Sequence, residues 1–339
     1  AQCLVGSEMC IRDRLAYCVR PDEVSSFEKF SVKYNHEVKI LKESFAPSTA
    51  ALAEGYDAIC ILGNCTANRK AIEIISKFGI KYLATRSAGF NNIDLEAAKE
   101  FGVNVSNVPA YSPNAVGEFA VGVTLCLARN FRQAFRRVDA QDFSLEGLIG
   151  FELRNKTIGF IGTGKIGQTA IKAFSGFGCK MIGYDLYPNE NAMKYLEYRT
   201  LDEVLAEADV ISLHCPLTDD NYHMINAESI AKMKEGVILI NTSRGQLMDT
   251  RALIDGIKSK KIGGVATDVY EYEYGIFHHN HQNRIITDET LLTLKSFPNV
   301  IVTPHYGFYT DEAVANMVEY SLQNLYDYET KNDCKNKLV

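Results

Sequence analysis

Three short segments hold the residues best suited to chemistry. Asn241-Thr242-Ser243-Arg244-Gly245 offers a guanidinium, Asp268-Val269-Tyr270-Glu271-Tyr272-Glu273 offers carboxylates, and Thr303-Pro304-His305 offers an imidazole. An arginine fork grips a carboxylate through two parallel hydrogen bonds. A histidine can give up a proton near neutral pH, and a carboxylate beside it favours the imidazolium and fixes the ring. The set suits reduction of a 2-oxo acid. Arg244 would take the substrate carboxylate, hydride arrival at the carbonyl carbon would create an alkoxide, and His305 would protonate it. Each residue alone has an ordinary alternative, a surface ion pair for the arginine and a solvated or structural ring for the histidine. Their conjunction favours chemistry.

A hydride donor is implied by Gly162-Thr163-Gly164-Lys165-Ile166-Gly167, which directly follows the strand-like run Thr157–Ile161. Gly162 permits the tight turn, Gly164 lets backbone amides approach a pyrophosphate, and Gly167 lets helix and strand pack closely. The expected helix has an apolar face at Ile166, Ala170, Ala173, Phe174 and Phe177, and its N-terminus carries positive partial charge. Asp185 ends the next strand, 18 residues past Gly167. A carboxylate there accepts from the adenosine ribose and repels a 2′-phosphate, so NAD is expected in preference to NADP.

The elements that must position these groups alternate between strand and helix. A first series of strands is expected at 15–19, 38–41, 58–62, 82–85 and 103–108, and a second at 157–161, 180–184, 210–214, 237–241, 263–269 and 300–303. Their apolar runs do not alternate with polar residues, as expected of parallel sheets covered on both faces. The fold class expected is α/β, with two doubly wound parallel-sheet domains and a cleft between them. Ser112 and Pro113 suit the start of a helix running to about Arg129. That helix is apolar almost all round, so it is expected to be buried on every side, between domains or against a second subunit. A helical stretch over 311–328 is expected to return to the first domain.

The chain has 339 residues, 46% of them apolar, and a formal net charge of −6. It is long enough for about two domains. Its mild acidity gives no reason to bind nucleic acid or an anionic membrane, and no apolar run reaches the roughly 18 residues of a membrane span. Nine scattered cysteines without a Cys-x-x-Cys fit reduced core thiols in the cytoplasm. His278, His279 and His281 lie close in sequence, but no completing ligand set accompanies them, so no metal is expected. Residues 1–14 lack the apolar core of a signal peptide. The string VGSEMCIRDR resembles translated adapter sequence, so this segment is set aside as artefactual and the fold is expected to begin just before Leu15.

The chain resembles the D-isomer-specific 2-hydroxyacid dehydrogenase family, and most of all its D-lactate and (R)-2-hydroxyacid dehydrogenase branch. The resemblance rests on TRSAGFNNIDL (85–95), NVPAYSPNAVGEFA (107–120), the glycine loop, HCPLTDDNYHMIN (214–226), NTSRGQLMDT (241–250), TDVYEYE (267–273) and TPHYGFYTDEAVANMV (303–318). It implies a flavodoxin-like substrate domain over 1–111, a Rossmann NAD domain over 112–308, and a segment 309–339 returning to the substrate domain. It implies catalytic Arg244, Glu273 and His305, with Glu271 structural. It adds cofactor contacts at Lys165, Ile166, Cys215, Pro216, Asn221, Thr242, Ser243, Arg244 and Asp268, and gives His214 no proton-donating role. The backbone at Ala88 and Gly89 would hold the substrate carboxylate, and Tyr111 and Phe308 would line the pocket. The reaction implied is pyruvate with NADH giving D-lactate. A bulkier substrate of the 2-hydroxyisocaproate type or an acidic one of the 2-hydroxyglutarate type is the alternative, with Arg86 the one candidate for a second carboxylate. A non-catalytic NAD-sensing protein resembling the family's co-repressors is the reading from another class. Tyr306, Gly117 and Gly122 depart from the family pattern. A homodimer through the helix near 113–129 is expected.

Overall fold

The computed structural model describes residues 12–339, and the chain divides into two compact units. One comprises the chain up to Ser112 with Thr310–Val339, and the other Pro113–Tyr309.

The first unit is built on five parallel strands, β1 (Arg12–Ala16), β2 (His36–Ile40), β3 (Ala58–Ile61), β4 (Tyr82–Thr85) and β5 (Asn104–Ser106), in the order β2-β1-β3-β4-β5. Every residue of β3 is buried, which explains its unbroken apolar run. Helix α1 (Val24–Tyr34) and the last helix (Asp311–Lys331) enclose a core of Phe27, Phe30, Val318 and Leu322 with Ala16 and Cys60 of the sheet. Helices α2 (Arg69–Lys77) and α3 (Leu95–Glu100) supply Ile72, Ile75, Ala97 and Ala98 to another core cluster. The end of the chain lies along β5, where the Leu338 amide donates to the Val105 carbonyl at 2.8 Å. Main-chain pairing of this kind covers an edge that would otherwise be open.

The expected start of the fold needs correction. β1 begins at Arg12, because Arg12–Ala16 pair in register with His36–Ile40, and it ends before Tyr17. Arg14 is buried and ion-paired with Glu329 and, at 3.4 Å, with Asp57. The rest of the segment set aside, residues 1–11, lies outside the described residues.

In the second unit, helix α4 (Pro113–Ala128) and helix α5 (Phe131–Asp139) precede a seven-stranded parallel sheet. Its strands are β6 (Thr157–Ile161), β7 (Lys180–Tyr184), β8 (Glu197–Tyr198), β9 (Val210–Leu213), β10 (Val237–Asn241), β11 (Ile262–Thr267) and β12 (Val300–Val302), in the order β12-β11-β10-β9-β6-β7-β8. Six strands were expected here. The two-residue β8 is too short to leave a periodic signal. Helix α6 (Lys165–Ser175) follows β6. Its buried face is Gly167, Ala170, Ile171 and Phe174, whereas Ile166, expected on that face, is 37% exposed. Residues 167, 170, 171 and 174 share one helical stripe, and Ile166 falls one step off it.

Helix α4 is not buried on all sides among the described residues. Val121, Leu125 and Cys126 are half-buried, and a Cβ at Gly122 would meet nothing within 4 Å. Gly117 faces α6, where a Cβ would lie 3.0 Å from both the Ala170 amide nitrogen and Thr169 Cγ2. The glycine is what lets the two helices approach so closely.

Candidate active site

Chain order reverses between β6 and β9, so the carboxyl ends of these strands flank the crevice where open α/β sheets take ligands. The glycine loop leaves β6 at this point. Gly162 has φ +97°, and a Cβ there would lie 2.5 Å from the Cys215 amide nitrogen after β9. A Cβ on Gly167 would lie 2.2 Å from the Gly162 carbonyl oxygen. Gly164 is the N-cap of α6 and has open space on its Cβ side. The loop is thus tight where the chain meets itself and open where a pyrophosphate would approach. Thr242 Oγ1, at the end of β10, is buried without a partner, as expected of a group awaiting a ligand. These features fit a dinucleotide.

Asp185 ends β7. One carboxylate oxygen accepts from the Thr163 amide at 2.6 Å and the other from the Tyr187 amide at 2.9 Å. A carboxylate has about four acceptor positions, so ribose hydroxyls can still be received. Asp185 lines a hollow with Tyr184, Pro188, Tyr198 and Arg199. Removing the carboxylate would take away the charge beside the ribose that repels a 2′-phosphate, leaving Arg199 and Glu203 as the charged groups lining that hollow. Asp185→Ala is therefore expected to raise activity with NADPH relative to NADH, read from kcat/KM for each. An unaltered ratio would place discrimination elsewhere.

The loop after β9 is self-contained. Asn221 donates to the Pro216 carbonyl at 2.7 Å and accepts from the Thr218 amide at 2.8 Å, so it staples the loop that holds Cys215 and Pro216. Burial pushes the Cys215 thiol up to about 11, with Asp185 acting the same way. His214 is buried beside Ser212 Oγ at 2.8 Å, and burial lowers its pKa to about 4, which leaves the ring neutral.

Arg244, Asp268 and His305 follow β10, β11 and β12 in turn. Asn241 fixes the turn at Arg244, donating to the Arg244 carbonyl at 2.9 Å and accepting from the Ser243 amide at 3.0 Å. Ser243 Oγ reaches the Leu213 carbonyl at 3.1 Å. The Arg244 guanidinium is half-buried, with one contact to the Ser243 carbonyl at 2.8 Å. A Cβ on Gly245 would lie 2.1 Å from the Tyr270 carbonyl carbon, so only glycine lets this turn sit against the acidic segment.

The two candidate glutamates go to different places. Glu271 is buried, accepting from His223 Nε2 at 2.6 Å and from Thr250 Oγ1 at 2.9 Å. Glu273 Oε1 lies 2.8 Å from His305 Nδ1, and its other oxygen accepts from the Tyr270 amide at 2.9 Å. Burial opposes ionisation of Glu273. Bonding to His305, that residue's charge, the Tyr270 amide and nearby Arg244 outweigh it and hold the carboxyl below its usual range. Its contribution to stability is complete above the ordinary glutamate value of about 4.3 and is lost as pH falls through the lower folded value. Glu273→Gln is expected to shallow the fall in stability between about pH 5 and pH 3, followed by urea midpoints. Parallel curves for the two proteins would remove this contribution.

His305 has φ +52°, a costly conformation for a residue with a side chain. Asp268 holds it there. Its carboxylate accepts from Thr303 Oγ1 at 2.6 Å, the Tyr306 amide at 3.0 Å and the Gly307 amide at 2.8 Å, while its carbonyl accepts from the His305 amide at 2.7 Å. His278 Nε2 donates to the His305 carbonyl at 3.0 Å. Among the described residues no three His, Cys, Asp or Glu side chains gather as metal ligands. Tyr306 packs edge-on against Phe119 at 5.2 Å, and Phe308 against Tyr309 at 5.9 Å. In the first unit, the Ala88 carbonyl accepts from Asn107 at 2.8 Å, the Gly89 carbonyl from Ser87 Oγ at 2.7 Å and the Tyr111 carbonyl from Asn316 at 2.7 Å. Sequence reasoning gave no role to Asn241 or His223 and weighed His278 only as a metal ligand. The asparagine ending β10 was the one usable signal, since it often forms such a turn.

A parallel sheet with this glycine loop, an acid after its second strand and an Arg-Glu-His group at its carboxyl edge describes a nicotinamide-dependent oxidoreductase. The family model described as "D-isomer specific 2-hydroxyacid dehydrogenase, NAD binding domain" matches residues 121–307. The aromatic 2-oxoacid reductase of Clostridium sporogenes is 63% identical over 326 residues, covering 96% of this chain and 98% of that one. The D-lactate dehydrogenase of Escherichia coli is 41% identical, covering 95% and 98%. The NAD-complexed D-isomer specific 2-hydroxyacid dehydrogenase of Lactobacillus delbrueckii ssp. bulgaricus matches with TM-score 0.84 at 32% identity, covering 96% and 100%. The chain belongs to the D-isomer specific 2-hydroxyacid dehydrogenase family. It is an oxidoreductase acting on a CH–OH group, and its cofactor is NAD.

Proposed function

We propose that this chain reduces bulky, preferably aromatic, 2-oxo acids to the (R)-2-hydroxy acids. The observation that carries the chemistry is the 2.8 Å contact between Glu273 Oε1 and His305 Nδ1, with Arg244 close enough to act on Glu273. Bound NADH supplies the hydride. Arg244 receives the substrate carboxylate, and Ala88, Gly89, Tyr111 and Phe308 are proposed as further substrate contacts. Glu273 orients His305 through Nδ1, which leaves Nε2 for the substrate oxygen. His305 Nε2 gives its proton to the alkoxide as hydride reaches the carbonyl carbon.

The choice of side chain is supported by the 63% identity to an aromatic 2-oxoacid reductase, against 41% to a D-lactate dehydrogenase. This moves the preferred substrate from pyruvate to the bulkier alternative. An acidic substrate has less support. Arg86 is fully buried, donating to Glu23 at 2.9 Å and to the Tyr17 and Cys18 carbonyls at 3.0 and 3.1 Å, so it is occupied within its own unit. NADH oxidation with phenylpyruvate, 4-methyl-2-oxopentanoate, pyruvate and 2-oxoglutarate tests the reading. The highest kcat/KM is expected for phenylpyruvate, with an (R) product. A preference for pyruvate would make the enzyme a D-lactate dehydrogenase, and no turnover of any of them would favour a sensor.

A homodimer is part of the same reading, with its surface moved beyond α4. Helix α5 buries no residue, and Phe135, Phe143, Leu145 and Ile149 are exposed by 64%, 75%, 84% and 91%. A continuous run with so many exposed apolar side chains suits a second copy. Sedimentation at micromolar concentration should give twice the chain mass, and a monomer would refute it. The reading also places the protein in the cytoplasm, since seven cysteines among the described residues are free thiols. No described helix is long and apolar enough to cross a membrane.

A further inference from the structure

The five-stranded sheet has a switch point of its own. Its chain steps from β1 outward to β2 and then reverses to β3, so the ends of β1 and β3 flank a crevice. A cysteine follows each strand there, Cys18 after β1 and Cys65 after β3. The Cys18 thiol donates to Asn64 Oδ1 at 3.3 Å and receives Ser44 Oγ at 3.6 Å. Cys65 Sγ receives the amide of Phe45, the residue after Ser44, at 3.3 Å. The two sulfurs thus sit against successive residues of the same two segments, 44–45 and 64–65. Cys65 is buried, whereas Cys18 is half-exposed. One sulfur can therefore be reached from solvent, and the other waits behind it.

Exposure makes the outer sulfur the one that an oxidant meets. Neighbouring Cys65 is the largest influence holding the Cys18 thiol below its usual range. Burial opposes it, and Ser44, Asn64 and the Arg86 charge reinforce it. Cys18, with burial, raises Cys65 in turn. Thiolates attack oxidants and thiols do so poorly.

We propose that Cys18 and Cys65 form a reversible two-thiol oxidation site for hydroperoxides, whose closure weakens 2-oxo acid binding. The Cys18 thiolate attacks the terminal oxygen of the hydroperoxide, the O–O bond breaks, and the departing alkoxide or hydroxide takes a proton from water. Cys18 is then a sulfenic acid. Cys65 attacks its sulfur, the S–S bond forms, the S–O bond breaks, and the released hydroxide leaves as water with the Cys65 proton. Two thiols are oxidised and one hydroperoxide is reduced.

Closure brings the sulfurs to about 2 Å. The Cys65 segment must move, and it is tied to the next loop. Asn92 donates to the Leu62 and Cys65 carbonyls at 3.4 and 3.0 Å, and its own carbonyl receives the Ala67 amide at 3.0 Å. That next loop carries Ala88 and Gly89. The kinetic consequence rests on the substrate role proposed for them, whereas the oxidation itself does not.

The test treats the reduced full-length protein with one equivalent of hydrogen peroxide. The intact mass should fall by two hydrogens, and non-reducing digestion should yield one linked pair, Cys18 with Cys65. KM for the best 2-oxo acid should rise several-fold and return with dithiothreitol. Cys65→Ser should stop at a sulfenic acid on Cys18 that dimedone traps. Cys18→Ser should keep its activity and lose its response to peroxide. Linkage of other cysteines, or reaction of Cys126 or Cys179 ahead of Cys18, would overturn the site. A Cys18–Cys65 disulfide with unchanged KM would overturn its regulatory effect. Because the linkage is read by mass, its outcome is independent of which substrate the enzyme prefers.

Discussion

His305→Ala is expected to lower kcat by roughly 10²–10⁴, the range spanned by loss of a positioned general acid. Without the imidazole the alkoxide must take its proton from water, while the residues around the glycine loop are untouched. Alanine can keep the backbone at this position, because histidine itself already sits at φ +52° there. The Asp268 carboxylate that clamps Thr303, Tyr306 and Gly307 makes no use of the ring. NADH binding, followed by fluorescence, should therefore stay near the parent value while turnover collapses. Turnover within threefold of the parent would take His305 out of the chemistry. Loss of NADH binding together with turnover would mean that the ring acts through the fold.

Arg244→Lys is expected to lower kcat/KM for 2-oxo acids by about ten- to a hundredfold. Hydrogen bonds to charged groups contribute about 1.5–3 kcal/mol, and an ammonium cannot reproduce a two-pronged grip on a carboxylate. The charge survives the substitution, so the loss measures geometry. The turn should survive as well, since Asn241 holds it through backbone groups alone. Unchanged saturation kinetics would remove Arg244 from carboxylate recognition.

The features legible in the sequence were those carried by short-range pattern. β4, β6, β7 and β10 fall at their expected bounds because buried parallel strands read as unbroken apolar runs with sharp ends. The glycine loop was legible because its spacing is a steric requirement. The first strand was misplaced because residues 1–14 were set aside as artefactual, and the charged run Arg12-Asp13-Arg14 gave no apolar pattern to argue against that. An ion pair with Glu329, more than three hundred residues away, lets a buried strand carry an arginine, and local composition holds no trace of that partner. The separate surroundings of Glu271 and Glu273 were invisible for the same reason. Two residues apart in an acidic run they look alike, and His223 and His305 are what distinguish them. The resemblance to a known family had to supply that choice, and it could not supply the clamp made by Asp268 or the contact from His278.

One feature of the chain's path bears on how the protein is made. The five-stranded unit draws on both ends of the described sequence. Asn324 donates to the Asn107 carbonyl and Tyr328 to the Val105 carbonyl, at 2.8 and 3.1 Å. The seven-stranded unit is continuous, Pro113–Tyr309. During synthesis domains fold as they emerge. The unit started first is thus completed last, after the whole intervening nucleotide-binding unit has left the ribosome. Until then Phe27, Phe30 and the strand faces beneath the last helix lack their cover. The interval in which the nascent chain most needs a chaperone is set by the length of a domain to which those residues do not belong.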